Sequence, residues 1–264
     1  MSGIPGLAAL PTFLEDGSAD GRPVVLLHGI GSGALGWHAQ MQAFPGRRVL
    51  AWNAPGYGDS RPLPSPQPLS QDYARALLAL LDSQDLGPTA LVASSWGSTI
   101  AIALAALQPD RITHLVLSGP TAGYGALPPA QRSALLAARS ERAHAVGIST
   151  MLEQDAPLLL ASTLPVEQRA QLALARQSVR LDGYLQALHA LALADAPPVL
   201  REVTCPTLIV AGEQDAIAPL PEHVRRLAAA LPSAGLELFP HCGHLPHVEH
   251  PECFNRLVEA FIDS

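Results

Sequence analysis

Ser95, Asp215 and His244 are three residue types that together can attack a carbonyl. A serine hydroxyl is a poor nucleophile at neutral pH; it needs a base, usually histidine, held in the right tautomer by an acid. Ser95 lies in Leu91-Val92-Ala93-Ser94-Ser95-Trp96-Gly97-Ser98, where a short apolar run breaks at small residues and passes into an Ala-rich helical stretch. That pattern predicts a tight strand-to-helix turn lifting one hydroxyl clear of a sheet. The turn brings its flanking backbones together, so small residues belong two before and two after the serine, where Ala93 and Gly97 stand. Taking Ser94 as nucleophile would put Trp96 where a small side chain is needed. Ordinary strand–helix connections use the same residue types. The assignment of Ser95 therefore depends on finding its partners.

The acid is expected at Asp215. Pro206-Thr207-Leu208-Ile209-Val210-Ala211-Gly212 reads as a buried strand bounded by Pro and Gly. Gly212-Glu213-Gln214-Asp215 then sets a carboxylate just past the strand's carboxyl end, where α/β sheets build their sites. Glu213 has the same chemistry, but the G-x-x-D-x-x-x-P spacing to Pro219 favours Asp215. The alternative for Asp215 is a cap on a helix starting near Pro219 or Pro221.

The base is expected at His244, after a strand at Leu236-Glu237-Leu238-Phe239-Pro240. His241, His244, His247 and His250 recur at every third position, which resembles a metal site. Pro240, Gly243, Pro246 and Pro251 interrupt the segment, so no helix can present the four on one face. No acidic or thiol cluster supplies a second half, and the reading is no metal and no cofactor. His244 follows Gly243, where the chain can turn tightly; His241 and His247 are expected as loop or supporting residues, and His250 as the residue before a final helix.

Attack on a carbonyl also needs backbone donors for the oxyanion. One should be the amide of Trp96, next to the nucleophile. The other should come from Pro23-Val24-Val25-Leu26-Leu27-His28-Gly29-Ile30-Gly31-Ser32, a buried strand running into glycines, with Ile30 as the donor. His28 precedes Ser95, the wrong order for a base, and reads as a structural ring that pins its loop by hydrogen bonds.

The elements that position these residues alternate. Strands are expected around Thr12-Phe13-Leu14 and at Val24–His28, Val49–Trp52, Ala90–Ala93 and His114–Leu117, with helices near Asp72–Asp82 and Ser98–Leu107. Leu77, Leu78, Leu80 and Leu81 form the first helix's buried stripe, and Pro109 stops the second. Such alternation predicts a mostly parallel sheet with helices on both faces. From about Pro120 to Leu200 strand patterns vanish, and helix-length pieces appear at Gln131–Ala145, Glu167–Val179 and Asp182–Ala194, separated by Gly and Pro. A closing helix over Pro251–Ile262 has Phe254, Leu257, Val258, Phe261 and Ile262 as its buried face.

Composition sets limits. A chain of 264 residues, 48% hydrophobic, suits one sizeable α/β domain with an insertion. The net charge of −7, with no basic stripe, argues against nucleic acid or an anionic membrane as partner. All 16 basic residues are arginine, which excludes Schiff-base chemistry and a P-loop. Cys205, Cys242 and Cys253 form no disulfide framework and suit a reducing cytoplasm; Cys242 reads as packing. Met1-Ser2-Gly3-Ile4-Pro5 has no basic start, so no secretory leader is expected, and no apolar run approaches the ~20 residues of a membrane span.

Taken together, the strand ending in His28-Gly29, the loop Asn53-Ala54-Pro55-Gly56-Tyr57-Gly58-Asp59-Ser60, the Ser95 turn, the Asp215 loop and the His244 loop resemble the α/β-hydrolase superfamily in order and spacing over nearly the whole chain. Departures are Ala93, where the family usually has Gly, and Asn53, where it usually has Asp. The resemblance implies an α/β-hydrolase fold, with residues 1–119 and 201–264 as the core and 120–200 as a helical cap over the nucleophile. It implies a serine hydrolase working through an acyl-enzyme on a small-molecule substrate with an apolar portion. A small or medium carboxylic ester or lactone is the first expectation. The alternative is carbon–carbon hydrolysis of an aromatic ring-cleavage product. The run from Cys242-Gly243-His244 through Glu249 to Phe254-Asn255 and the His28–Gly33 loop are similar to that group, although it usually carries Trp where Leu245 stands. That group also wants an arginine for the substrate's carboxylate, for which Arg176 and Arg180 are candidates; the alternative for each is a solvated or salt-bridged helix face. A reading of another class is a ligand receptor of the same fold with little turnover. Oligomeric state is not legible.

Overall fold

The computed structural model describes residues 9–264, so the reading of Met1–Pro5 lies outside the described residues. Each expected strand forms: β1 (Phe13–Gly17), β2 (Pro23–Leu27), β3 (Arg48–Trp52), β4 (Thr89–Ser94), β5 (Ile112–Ser118), β6 (Thr207–Gly212) and β7 (Gly235–Phe239). They make one sheet in the order β1-β3-β2-β4-β5-β6-β7. All neighbours are parallel except β1 against β3. The central strands are apolar on successive residues because helices cover both faces.

Alternate side chains divide the core. Val25, Leu27, Leu50, Trp52, Leu91, Ala93, Leu115 and Leu117 pack with Leu77, Leu80 and Leu81 of α2 (Ser70–Ser83) and Ile100 and Leu104 of α3 (Trp96–Leu107). Val24, Leu26, Val49, Ala51, Val92, Val116 and Val210 pack on the other face with Trp37, Met41 of α1 (His38–Met41), and Phe254, Val258 and Ile262 of the closing helix. Leu78, Leu257 and Phe261 are only half-buried, at the margins of these two layers.

Between β5 and β6 the chain is helical: α4 (Pro129–Val146), α5 (Ile148–Asp155), α6 (Val166–Gln177), α7 (Leu181–Leu193) and α8 (Ala196–Leu200). The three expected helices correspond to α4, α6 and α7. The other two are findings. α5 restarts directly after Gly147, whose φ of +81° breaks α4 without a loop. Pro197-Pro198 sits in the first turn of α8, where a missing N–H costs nothing, rather than separating elements. The insertion is seated on the loop after β3. Gly56 and Gly183 touch backbone to backbone, and a Cβ on Gly56 would lie 2.5 Å from the Gly183 Cα. Gln186 donates to the carbonyls of Leu63 and Ser65.

After β6 the expected helix near Pro219 or Pro221 starts later, as α9 (Val224–Ala230). His223 accepts the Ala122 amide at 3.1 Å, which ties the preceding residues into turns. The histidine-rich segment contains one helical turn, α10 (Pro246–Glu249), and α11 (Pro251–Ile262) closes the chain. Among the described residues no helix is long and apolar enough to cross a membrane.

Candidate active site

Ser95 sits between β4 and α3 with φ +51° and ψ −119°, a conformation forced by reversing the chain from strand to helix in one residue. Gly97 permits the reversal: a Cβ there would meet the His28 carbonyl oxygen at 2.7 Å and that of Leu27 at 2.8 Å. Ala93 is fully buried and its methyl is accommodated, with Ser98 Oγ donating to its carbonyl.

Ser95, His244 and Asp215, three residues from distant stretches, meet in one relay. Ser95 Oγ donates to His244 Nε2 at 2.8 Å, and His244 Nδ1 donates to Asp215 Oδ2 at 2.8 Å. Asp215 Oδ1 accepts the Ile217 and Ala218 amides, each at 2.8 Å, so the carboxylate braces its own loop instead of capping a distant helix. Burial pushes the Asp215 carboxyl up, but the His244 hydrogen bond and charge with the two amides outweigh it and hold the group below its usual range. An anionic Asp215 requires a proton on Nδ1, which leaves Nε2 free to take one from Ser95.

Neither the Ile30 nor the Trp96 amide has an acceptor among the described residues. Ile30 lines the cavity beside Ser95, and its carbonyl accepts the Tyr57 hydroxyl at 2.9 Å. His28 Nδ1 donates to the Gly29 carbonyl and Nε2 accepts the Ala54 amide, as expected of a pin between two loops. Burial pushes His28 down to about 4, partly offset by Gly29, so it stays neutral. Asn53 accepts the Ala34 amide and donates to Thr12 Oγ1, tasks that use both ends of the amide.

His241 is exposed, and His247 is buried against Trp37 at 4.3 Å between ring centroids, its Nδ1 3.4 Å from Ser118 Oγ. Among the described residues no three His, Cys, Asp or Glu side chains gather to hold a metal ion. Cys242 is buried beside Glu249, in keeping with packing.

The cavity over Ser95 and His244 is walled on the insertion side by Arg139, Leu152, Leu159, Leu172, Arg176 and Tyr184. The small alanines of the insertion, such as Ala143, Ala187 and Ala190, are buried in the main core instead. The two candidate arginines part company. Arg180 donates to the Gly58 and Ser60 carbonyls and pairs with Asp182, fastening the insertion to the core. Arg176 lines the cavity, and its Nη2 is buried with no partner. Sequence reasoning missed Arg139 and Tyr184, which no spacing connects. It also missed the role of Glu249, whose place five residues after the base was a usable signal.

A family model described as alpha/beta hydrolase fold matches residues 22–251. The chain belongs to the alpha/beta hydrolase family. This hydrolase is 31% identical over 263 residues to a 2-hydroxy-6-oxononadienedioate/2-hydroxy-6-oxononatrienedioate hydrolase of Cupriavidus pinatubonensis, covering 95% of this chain and 90% of the relative. It is 28% identical to a 2-hydroxy-6-oxo-6-phenylhexa-2,4-dienoate hydrolase of Burkholderia cepacia, covering 97% of this chain and 93% of that one. A solved thermophilic esterase from Thermogutta terrifontis superposes with a TM-score of 0.84 at 25% identity, covering 96% of this chain and 93% of the other.

Proposed function

We propose that this hydrolase cleaves a carbon–carbon bond beside a ketone in an acid formed by opening an aromatic ring. The observation that carries the reading is Arg176, a cavity-lining cation with a buried, unpartnered Nη2 near the Ser95–His244 pair. A neutral ester has no use for a cation there, whereas a substrate carboxylate matches it. Relatives named for this reaction, aligned over nearly the whole chain, support the same choice over the ester first expected from sequence.

In this mechanism His244 Nε2 takes the Ser95 proton as Oγ bonds to the ketone carbon. Asp215 orients the imidazole and stabilises it once charged. The Ile30 and Trp96 amides hold the oxyanion, each such donor typically worth about 3 kcal/mol. Cleavage needs the keto tautomer of the dienol, in which the 2-hydroxyl has lost its proton and the carbon beside the attacked ketone has gained one. When the C=O reforms, the carbon–carbon bond breaks and its electron pair leaves on that carbon, delocalised through the remaining double bond into the fragment's 2-ketone. The fragment takes its proton from His244. Water then gives a proton to His244 and attacks the Ser95 ester, and Oγ departs with that proton. Residues 120–200 act as the cap that selects substrate, over a core of 1–119 and 201–264. We assign the chain to the cytoplasm, where its three unpaired thiols are stable.

One observation favours a second reading, hydrolysis of an ester or lactone. Leu245, not the Trp common in carbon–carbon hydrolases, lines the cavity next to His244. The test is a parallel assay of ring-fission dienoates, p-nitrophenyl esters and lactones. The dienoates should be turned over best, and Ser95→Ala should lower kcat by at least about 10⁴-fold while the protein still melts cooperatively. Faster turnover of esters would favour the second reading. Binding without turnover of any of them would favour a receptor, and retained activity in Ser95→Ala would remove the serine mechanism.

A further inference from the structure

We propose that the hollow between α1, α6 and α10 is the port through which the water of the second step reaches the Ser95 ester. The inference rests on the serine acyl-enzyme of the reading above and names the source of its water. Gln40 lines this hollow and is fully buried. Its amide orientation is fixed by its neighbours. Asn255 Nδ2 donates to the Ala39 carbonyl at 3.0 Å, so Asn255 Oδ1 is the acceptor for Gln40 Nε2 at 2.9 Å. The second hydrogen of Nε2 goes to the His247 carbonyl at 3.0 Å. Gln40 Oε1 is therefore left as an acceptor, buried and without a partner among the described residues. Gln168 of α6 lines the same hollow, and its Oε1 is likewise buried without a partner among the described residues. Buried acceptors left unmet are costly, and two of them in one hollow suit a small ligand with two donor hydrogens. Water is that ligand, and the hollow's volume of about 340 Å³ far exceeds what one molecule needs.

The hollow joins solvent to the site. Leu35, His38, Ala39 and Glu167 are exposed along it, whereas Gly36, Leu172, His247 and Val248 line both it and the cavity over Ser95. These four shared residues form a single layer between the two spaces, and in that layer Gly36 carries no side chain. In the proposed reaction the fragment released by bond cleavage lies at Arg176 while the acyl group covers Ser95. Water then needs an approach that neither fragment fills. Arg176 is not part of the shared layer, so the Gly36–His247 side stays open when the Arg176 side is occupied. Water arriving there gives one proton to His244 Nε2 and bonds through its oxygen to the acyl carbon, which releases Ser95 Oγ with that proton.

The experiment follows the two steps separately in the full chain by rapid mixing and chemical quench. Its substrates are a ring-fission dienoate with a phenyl tail and p-nitrophenyl benzoate, which leave the same benzoyl group on Ser95. Gln168→Leu removes one acceptor from the hollow, while Gln40 is kept because its Nε2 supports α10. In Gln168→Leu the first product should form at the parent's rate, and benzoate release should slow at least about fivefold, the share of one neutral hydrogen bond. The benzoyl-enzyme should then accumulate and appear as added mass on Ser95. Gln168→Glu, which keeps an acceptor oxygen, should release benzoate as the parent does. Benzoate release unchanged in Gln168→Leu, equal slowing of both steps, or slow release in Gln168→Glu as well would overturn the proposal. If the parent cleaves only the ester, the carbon–carbon reaction fails and the ester decides the port by the same criteria. If neither compound yields a benzoyl-enzyme, the port falls with the serine mechanism.

Discussion

Ser95 holds a backbone conformation that a Cβ resists. Its φ of +51° with ψ −119° costs a non-glycine residue about 1–3 kcal/mol, sustained only because β4 and α3 fix both ends of the turn. Glycine adopts that geometry freely, at an entropic cost of about 0.5–1 kcal/mol in the unfolded chain. Ser95→Gly should therefore be inactive but more stable than Ser95→Ala, by roughly 1 kcal/mol in urea melts. A Gly variant less stable than the Ala variant would mean that the turn stores no strain. At this scale the sequence was readable where chemistry and chain order coincide, as at Ser95, Asp215 and His244. It was not readable at Arg176, in the last turn of α6, and Arg180, the extended residue just before α7, because nothing in the sequence pattern says which way either side chain points. One reaches the cavity and the other the Gly58 carbonyl, a choice made by packing between distant segments.

Between elements, Glu249 joins the catalytic loop to the insertion. Its Oε1 accepts the Gly243 amide at 2.7 Å, one residue before the base, and its Oε2 accepts the Ala161 amide at 2.8 Å. The His244 amide itself donates to the Leu159 carbonyl at 2.8 Å, and Leu159 lines the cavity. The position of the insertion's 159–161 segment and that of the imidazole thus share one carboxylate. Glutamine retains one acceptor oxygen and turns an NH₂ toward the other amide. A hydrogen bond to a charged group contributes about 1.5–3 kcal/mol, so Glu249→Gln should lower kcat/KM by roughly ten- to a hundred-fold. Hydrogen exchange at Ala161 and Ser162 should speed up in the same variant. Unchanged exchange there would mean that the insertion is held by other contacts. The elements themselves were legible from period and punctuation, because the strands are apolar runs bounded by Gly and Pro. Boundaries failed where Pro plays two parts: Pro197-Pro198 opens a helix, while Pro219 and Pro221 lie in turns that precede one.

Across the whole molecule, the site rests on imidazoles kept neutral by the core. Burial pushes His28 down to about 4, and burial with the nearby His244 pushes His247 to about 3. In the unfolded chain both titrate near pH 6.5. Below that pH the unfolded state binds protons that the native state refuses, so stability falls with falling pH. Each histidine costs about 1.4 kcal/mol per pH unit until its native value is reached. Asp215 acts in the same direction at the acid end, since its lowered pKa stabilises the fold above the usual carboxylate range and that contribution is lost as it protonates. Urea melts should give nearly constant stability above pH 7 and a decline of roughly 2–2.5 kcal/mol per unit between pH 6 and 4.5, as both buried rings contribute. Removing one ring separates this from the repulsion of surface charges. His247→Gln should start from lower stability, because it gives up the packing on Trp37, and its slope should be about half as steep. A parent slope near zero, or one that the substitution leaves unaltered, would show that these rings are protonated inside the fold.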